Sequence, residues 1–324
     1  MSCIFPILSG TRRQGQVLSQ GAEFIDWKER VDCADEAAHF IQKLSPPAAV
    51  YFLGGPDTGK TTLAGKLAAR VGNKAGCEYL DADPGQSAAG PPSTIGLTGG
   101  EILSGKPASP TALRFIGTTS PSYNPGPSLD SLGFLSRLGS KRADYLFIDS
   151  PGYIAGEEGC NFQFRSIMAA GPVLVIALER EKELRGVFDK LSETGPGGTH
   201  VQKVIILSPS GGVRVKTQAQ RRAYREAKFR SYFASSLFQR ISLRGRRIIG
   251  KIPDFENPQE YKNLLCAVCK EKLLVLSLAL IAGYEPDRDC LIVDAPAFSE
   301  TEAESIIFGR LYIDGRTGKE LGKR

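Results

Sequence analysis

The sequence predicts an α/β fold in which a mostly parallel sheet is wrapped by helices and followed by a small β-rich domain. Three observations predict it. Between residues 48 and 208, short and nearly continuous apolar runs alternate with helical stretches, the pattern of strands covered on both faces. A glycine-rich turn at residues 54–59 separates the first run from a helix. After Pro253, helical spacing gives way to strand-like runs split by turn signals.

The chain of 324 residues, 41% of them hydrophobic, can bury one large core or a large and a small one. Lysine and arginine number 41 against 35 acidic residues, a net charge of +6. This mild excess allows a polyanionic partner without demanding one. The N-terminal MSCIFPILSGTRRQ has only a brief apolar run followed by charge, unlike a secretory signal. The longest apolar stretch, 273–282, is about half the ~20 residues of a membrane span. With seven scattered cysteines, the chain is expected to be cytoplasmic with reduced thiols. Cys266 and Cys269 have CxxC spacing, but no second pair and no histidine lies nearby, so two buried thiols are expected.

In chain order, residues 1–22 form a polar leader, and 26–43 carry apolar residues at helical spacing until Pro46 and Pro47 stop the helix. AAVYFL (48–53) reads as a buried strand and TTLAGKLAARV (61–71) as a helix. CEYLDA (77–82), LRFIG (113–117), DYLFID (144–149), VLVIAL (173–178) and KVIILS (203–208) are further strand candidates. RRIIGKI (246–252) reads as the last strand of that sheet, which closes a domain spanning 23–253. The β-rich domain, 254–324, holds KLLVLSLALI, CLIVDAP and IIFGRLYID, with the turn DGRTG at 314–318.

The turn between the first strand and helix is Gly54-Gly55-Pro56-Asp57-Thr58-Gly59-Lys60-Thr61, followed by Thr62, and it fits GxxxxGK[ST] in strand–loop–helix context. This is the signature of a P-loop NTPase. Glycines let backbone N–H groups curl towards phosphate oxygens, and the helix N-terminus adds positive potential. Lys60 should reach the β- and γ-phosphates of ATP or GTP, and the Thr61 hydroxyl should bind Mg²⁺.

Three more segments narrow the class. In DADPGQ (81–86), Asp81 and Asp83 end a strand and Gln86 follows a Pro-Gly turn. At the carboxyl edge of a parallel sheet, one carboxylate can accept a proton from an attacking hydroxyl and the other can hold Mg²⁺. Asp149, in DSPG (149–152), ends another strand where a magnesium-binding carboxylate is usual. DSPG also fits DxxG, the magnesium switch of GTPases, but KVIILS runs into SPSGG with no NKxD to read guanine. Finally, 213–233 carries Arg214, Lys216, Arg221, Arg222, Arg225, Lys228 and Arg230 against Glu226 alone. Arg221, Arg222 and Arg225 share a helix face, with Ala219, Ala223 and Ala227 on another. In a P-loop protein such a run makes a lid whose arginines close on the phosphates.

Together these segments resemble the polynucleotide 5′-hydroxyl kinases related to the RNA kinase subunit of the eukaryotic cleavage and polyadenylation factor, most of all their prokaryotic forms. The resemblance runs from about Trp27 to the end. GGPDTGKTT resembles the family P-loop, including Asp57, and DADPGQ matches the family's DxDxGQ. PPSTIGL, IGTTSP and DSPGYIAGEEG follow in family order, Arg221-xxx-Arg225 fits the lid RxxxR, and IIFGRLYIDGRTGKELG resembles the closing β-unit. The resemblance implies phosphate transfer from ATP to the 5′-hydroxyl of RNA, with DNA as the alternative acceptor. Asp81 would be the general base, Lys60 and Thr61 would handle phosphates and Mg²⁺ alongside Asp83 and Asp149, and Arg221 and Arg225 would act from the lid. Gln86, Thr119, Tyr153 and Arg222 would contact substrate, Tyr153 where eukaryotic members stack a tryptophan on a base. With little before Trp27, the N-terminal β-domain of eukaryotic members is expected to be absent. The rival expectations are a GTPase-like switch and a nucleotide-binding RNA-processing scaffold with little turnover.

Overall fold

The computed structural model describes residues 22–28, 33–71, 76–105, 109–194, 198–212 and 214–323. Apart from Ala22, the expected leader lies outside them. The first half runs β1 (Glu23–Asp26), α1 (Cys33–Gln42), β2 (Ala48–Gly54), α2 (Lys60–Val71), β3 (Cys77–Asp81), β4 (Thr94–Gly99), β5 (Ala112–Phe115), α3 (Pro125–Ser140), β6 (Tyr145–Asp149) and α4 (Gly156–Ala170). It continues with β7 (Leu174–Leu178), α5 (Arg185–Glu193), β8 (Lys203–Leu207) and α6 (Gln218–Phe233). The remainder is β9 (Leu237–Ser242), β10 (Arg247–Ile249), α7 (Pro258–Tyr261), β11 (Leu264–Lys270), β12 (Leu274–Glu285), β13 (Cys290–Ala295), β14 (Ser305–Ile313) and β15 (Glu320–Lys323).

The order β1-β8-β7-β2-β6-β3 is parallel throughout, and β4 and β5 extend it antiparallel. Every residue of β2, β6 and β7 is buried, which is why these segments read as unbroken apolar runs. One core lies on each face: Tyr51, Leu53, Leu80 and Ile148 pack on one side, and Val50, Phe52, Phe147 and Leu67 on the other. The strand carrying the glycine-rich turn thus stands mid-sheet, and its carboxyl end opens beside those of β6 and β3. Crevices outside the carboxyl ends of such strands are where α/β sheets place ligands.

The C-terminal strands form a second group, β9-β13-β12-β11-β14-β10 with β15 on β14. It touches the first group along the sheet at one register pair, Leu274 with Arg114. Several local expectations are revised. The strand expected at 246–252 is β10, but it pairs with β14 rather than with the parallel sheet. The strands of this second group therefore begin at Leu237. The helix expected from residue 26 starts at Cys33, because EFID (23–26) is taken up as an edge strand against β8. Cys266 and Cys269 are fully buried in different clusters, on opposite faces of the group, and burial raises both thiols to about 12. They cannot share a metal ion.

Candidate active site

The loop between β2 and α2 is shaped by two unusual backbone positions. Gly59 sits at φ 90°, where a side chain would be strained, and Asp57 at φ 52°, the left-handed region that aspartate tolerates. The Thr58 hydroxyl donates to the Gly55 carbonyl at 3.0 Å. Lys60, the first residue of α2, folds back over the loop and donates to the carbonyls of Gly54 and Gly55, each at 2.8 Å. Its ammonium is buried, which lowers its pKa, while Asp149, Asp83 and Asp57 pull in the opposite direction. Lys60 thus spends its buried amine on two loop carbonyls, within the electrostatic reach of three carboxylates.

Asp149 ends β6, beside the start of α2. One oxygen, Oδ2, accepts hydrogen bonds from the Thr61 hydroxyl and, at 3.0 Å, from the Tyr79 hydroxyl. The other, Oδ1, is buried with no partner. Leaving a buried carboxylate oxygen unsatisfied is costly, so this atom calls for an external group. A hard cation shared with the Thr61 hydroxyl and substrate phosphates fits, because Mg²⁺ takes few protein ligands and completes its shell with water and phosphate. Among the described residues, no cluster of three or more His, Cys, Asp or Glu side chains could hold a metal by itself.

The DADPGQ turn follows β3. Asp81 is buried, and three backbone N–H groups hold its carboxylate: Asp83 on Oδ1 at 3.1 Å, and Ala88 and Ala89 (3.1 Å) on Oδ2. Burial, then Asp149 and Asp83, raise its carboxyl to about 7. Asp83 is less buried. Its Oδ1 accepts from Gly85 (2.8 Å) and Gln86 (3.1 Å), and Oδ2 takes part in no hydrogen bond among the described residues. Gly85 is required here, since a Cβ would lie 2.5 Å from the Thr119 carbonyl oxygen. That close approach seats Thr119 against the acidic turn.

Helix α6 closes over this turn. The Asp57 carboxylate accepts from the Lys216 amide at 2.9 Å and from Arg221 Nη2 at 2.6 Å. Gln86 Nε2 donates to the Arg221 carbonyl at 3.3 Å, and the Tyr224 hydroxyl to the Ser87 carbonyl at 3.0 Å. Arg221 and Arg225 line the cleft, and Arg225 also pairs with Glu320 at 2.9 Å. Arg222 does not enter: it is 58% exposed and paired with Glu226 one turn along the helix, on the side where Ala219 and Ala223 face solvent.

These elements enclose a cleft of about 1110 Å³. Pro56, Asp57, Thr58, Gly59, Lys60, Thr61 and Thr62 line its floor, and Asp81, Asp83, Gln86, Thr119, Asp149 and Tyr153 its far wall. Tyr153 is partly exposed, tilted on Phe162 with ring centroids 5.7 Å apart, its hydroxyl 3.2 Å from Glu158. Sequence reading missed Arg180, whose Nη2 donates to the Asp57 carbonyl at 2.6 Å and braces the loop. The available signal was its place two residues past β7, at the same sheet edge as the other groups. It also missed Tyr79, which reveals itself only through its bond to Asp149.

A family model described as mRNA cleavage and polyadenylation factor CLP1 P-loop matches residues 54–235. Among curated proteins, the chain is similar to a polyribonucleotide 5′-hydroxyl-kinase of Pyrococcus furiosus, 27% identical over 87% of this chain and 92% of that protein. A counterpart from Methanocaldococcus jannaschii is 27% identical over 89% and 92%. One from Pyrococcus horikoshii is 32% identical over 62% of this chain and 54% of that protein. Among solved structures, the wild-type Clp1p–Pcf11p complex superposes with a TM-score of 0.64 at 15% identity, covering 87% of this chain and 79% of that one. This last likeness concerns the fold.

Proposed function

Because the chain belongs to the mRNA cleavage and polyadenylation factor CLP1 P-loop family, we propose that it is an ATP-dependent polynucleotide 5′-hydroxyl kinase acting on RNA ends. The observation that carries this reading is the acidic turn: beside a P-loop lysine and beneath a basic lid, it brings to the wall of the cleft Asp83, whose Oδ2 accepts no hydrogen bond among the described residues. A phosphotransferase needs such an acceptor next to its phosphate-binding loop, and a switch protein does not.

Loop N–H groups and Lys60 bind the ATP phosphates. Bound Mg²⁺, held by the Thr61 hydroxyl and Asp149 Oδ1, would neutralise charge on the phosphate oxygens. The RNA 5′-oxygen attacks the γ-phosphorus as its proton passes to a carboxylate of the turn. The bond from γ-phosphorus to the bridging oxygen breaks, and its electron pair leaves with ADP. Arg221 and Arg225 offset the charge of the transferring group. We assign the proton to Asp83 rather than to the Asp81 expected from the sequence, because Asp81 is held by three backbone N–H groups and Asp83 keeps a free oxygen. Gln86 Oε1, buried without a partner among the described residues, would accept from a substrate hydroxyl, and Tyr153 would lie against a base. Leu207 at the end of β8 and Ser208, Ser210 and Gly212 after it line the cleft without a carboxylate to read guanine, which favours ATP over the GTPase reading. No helix among the described residues is long and apolar enough to cross a membrane.

The test is incubation with γ-labelled ATP, Mg²⁺ and 5′-hydroxyl RNA and DNA oligonucleotides. Label should appear on the RNA 5′ end, and Lys60→Ala should lose at least ~100-fold, the scale of one preorganised electrostatic contact. Labelled inorganic phosphate in place of labelled RNA would instead mark an NTPase.

A further inference from the structure

We propose that Tyr123, flanked by Lys323 and Arg310, is a platform on the rim of the cleft for the nucleotides just downstream of the RNA 5′ end. The proposal rests on the kinase reading and extends it to how the acceptor strand leaves the cleft.

The acceptor side of the cleft is marked by Asp83 and Gln86, with Thr119, Ser120 and Pro121 beside them. Tyr123 follows Pro121 by two residues, at most ~7 Å of backbone. This segment is held firmly. The Tyr123 amide donates to the Ser120 carbonyl at 3.3 Å, and Asn124 Nδ2 to the Ile116 carbonyl at 2.9 Å. The Arg310 amide on β14 donates to the Gly117 carbonyl at 3.0 Å. An apolar side chain on so fixed a segment would ordinarily pack inward, as Pro121 does, yet the Tyr123 ring remains 55% exposed.

Two cations from the C-terminal group converge on it. Lys323 Nζ lies 4.8 Å from the Tyr123 ring centroid, and Arg310 Nη1 donates to the Tyr123 carbonyl at 3.3 Å. Both side chains are exposed. An exposed ring with flanking cations, next to the end of a cleft that binds a hydroxyl terminus, is the combination by which proteins hold single strands without reading sequence. The ring stacks on a base and the cations meet the phosphates on either side. The competing role for Tyr123 is a seat for the stem of Lys323, which would simply pin β15 to the rim.

Acceptor length separates the two. With the full-length protein, Tyr123→Ala should raise KM for a 5′-hydroxyl decaribonucleotide roughly 10-fold, with far less effect on KM for a nucleoside 3′-phosphate, which ends before the platform. Tyr123→Phe should restore the decamer KM. Lys323→Ala should lower the slope of log affinity against log salt by about 0.7 for one lost phosphate contact. A KM defect equal for both acceptors, or a fall in kcat and melting temperature with no length dependence, would make Tyr123 a packing seat and overturn the platform. If the wild type phosphorylates no acceptor, the kinase reading fails. Equilibrium binding of a 3′-labelled decaribonucleotide then decides the platform by itself: weaker binding by Tyr123→Ala upholds it and equal binding refutes it.

Discussion

Of two aspartates two positions apart, Asp81 ends β3 and Asp83 lies in the turn that follows, and the fold gives them different surroundings. Asp81 is buried, and its carboxylate accepts from the N–H groups of Asp83, Ala88 and Ala89. Asp83 spends one oxygen on the turn, and its other oxygen accepts no hydrogen bond among the described residues. On the proposed mechanism, Asp83→Asn should lose about 10² to 10⁴ in kcat with no rescue by added Mg²⁺. Asp81→Asn should lose less, by loosening the turn; if Asp81→Asn is instead the crippled variant, the base is Asp81. The two should also differ in pH dependence. Asp81 holds its proton more tightly in the fold, its pKa rising from 3.8 to about 7. Its stabilising contribution is therefore full below the unfolded value and is lost as pH climbs to about 7. Urea unfolding between pH 4 and 8 should show a decline through that window that is smaller in Asp81→Asn. An equal decline in both proteins would assign it to other groups.

At the scale of the element, α6 is a lid fastened at both ends. Its N-terminus has a capping box in which Thr217 and Gln220 satisfy each other's backbone N–H, and Asp57 of the P-loop grips Lys216 and Arg221 just there. Its C-terminal half buries Phe229 and Phe233. Periodicity made this segment legible as a basic helix, but not which arginines face the cleft. Arg221 and Arg225 do, while Arg222 lies a residue off that stripe and pairs along the surface, a contact of small energetic weight. Asp57→Asn removes the charge from the latch without removing its acceptor oxygen. A charged hydrogen bond contributes about 1.5–3 kcal/mol, so kcat/KM for ATP should fall roughly 10-fold or more while the melting temperature stays close to wild type. An unchanged kcat/KM would mean that the latch belongs to the resting protein alone.

Across the whole molecule, the lid and the C-terminal strands share one core. Phe229 and Phe233 of α6 and Phe115 of β5 pack with Leu265, Ala267, Leu278, Leu280 and Leu311. Gly318, in the turn before β15, meets the helix so closely that a Cβ would lie 1.9 Å from the Glu226 carbonyl oxygen. The C-terminal strands thus anchor the helix that closes the active site. Phe229→Ala should cost about 3–5 kcal/mol and shift unfolding of both strand groups together. Separate transitions by two probes would show that the groups fold independently. The sequence by itself determined the P-loop with Lys60 and Thr61, Asp149 at a strand end, the DADPGQ turn and the parallel sheet, because each is written in consecutive residues whose backbone partners are near in the chain or fixed by strand–loop–helix order. Only the tertiary structure decided that β10 pairs with β14, that Arg180 braces the loop, that Asp83 rather than Asp81 keeps a free oxygen, and that Tyr123 meets Lys323. Each of these depends on contacts between segments remote in the chain or on which face of a turn is buried, and neither composition nor spacing encodes which remote surfaces meet.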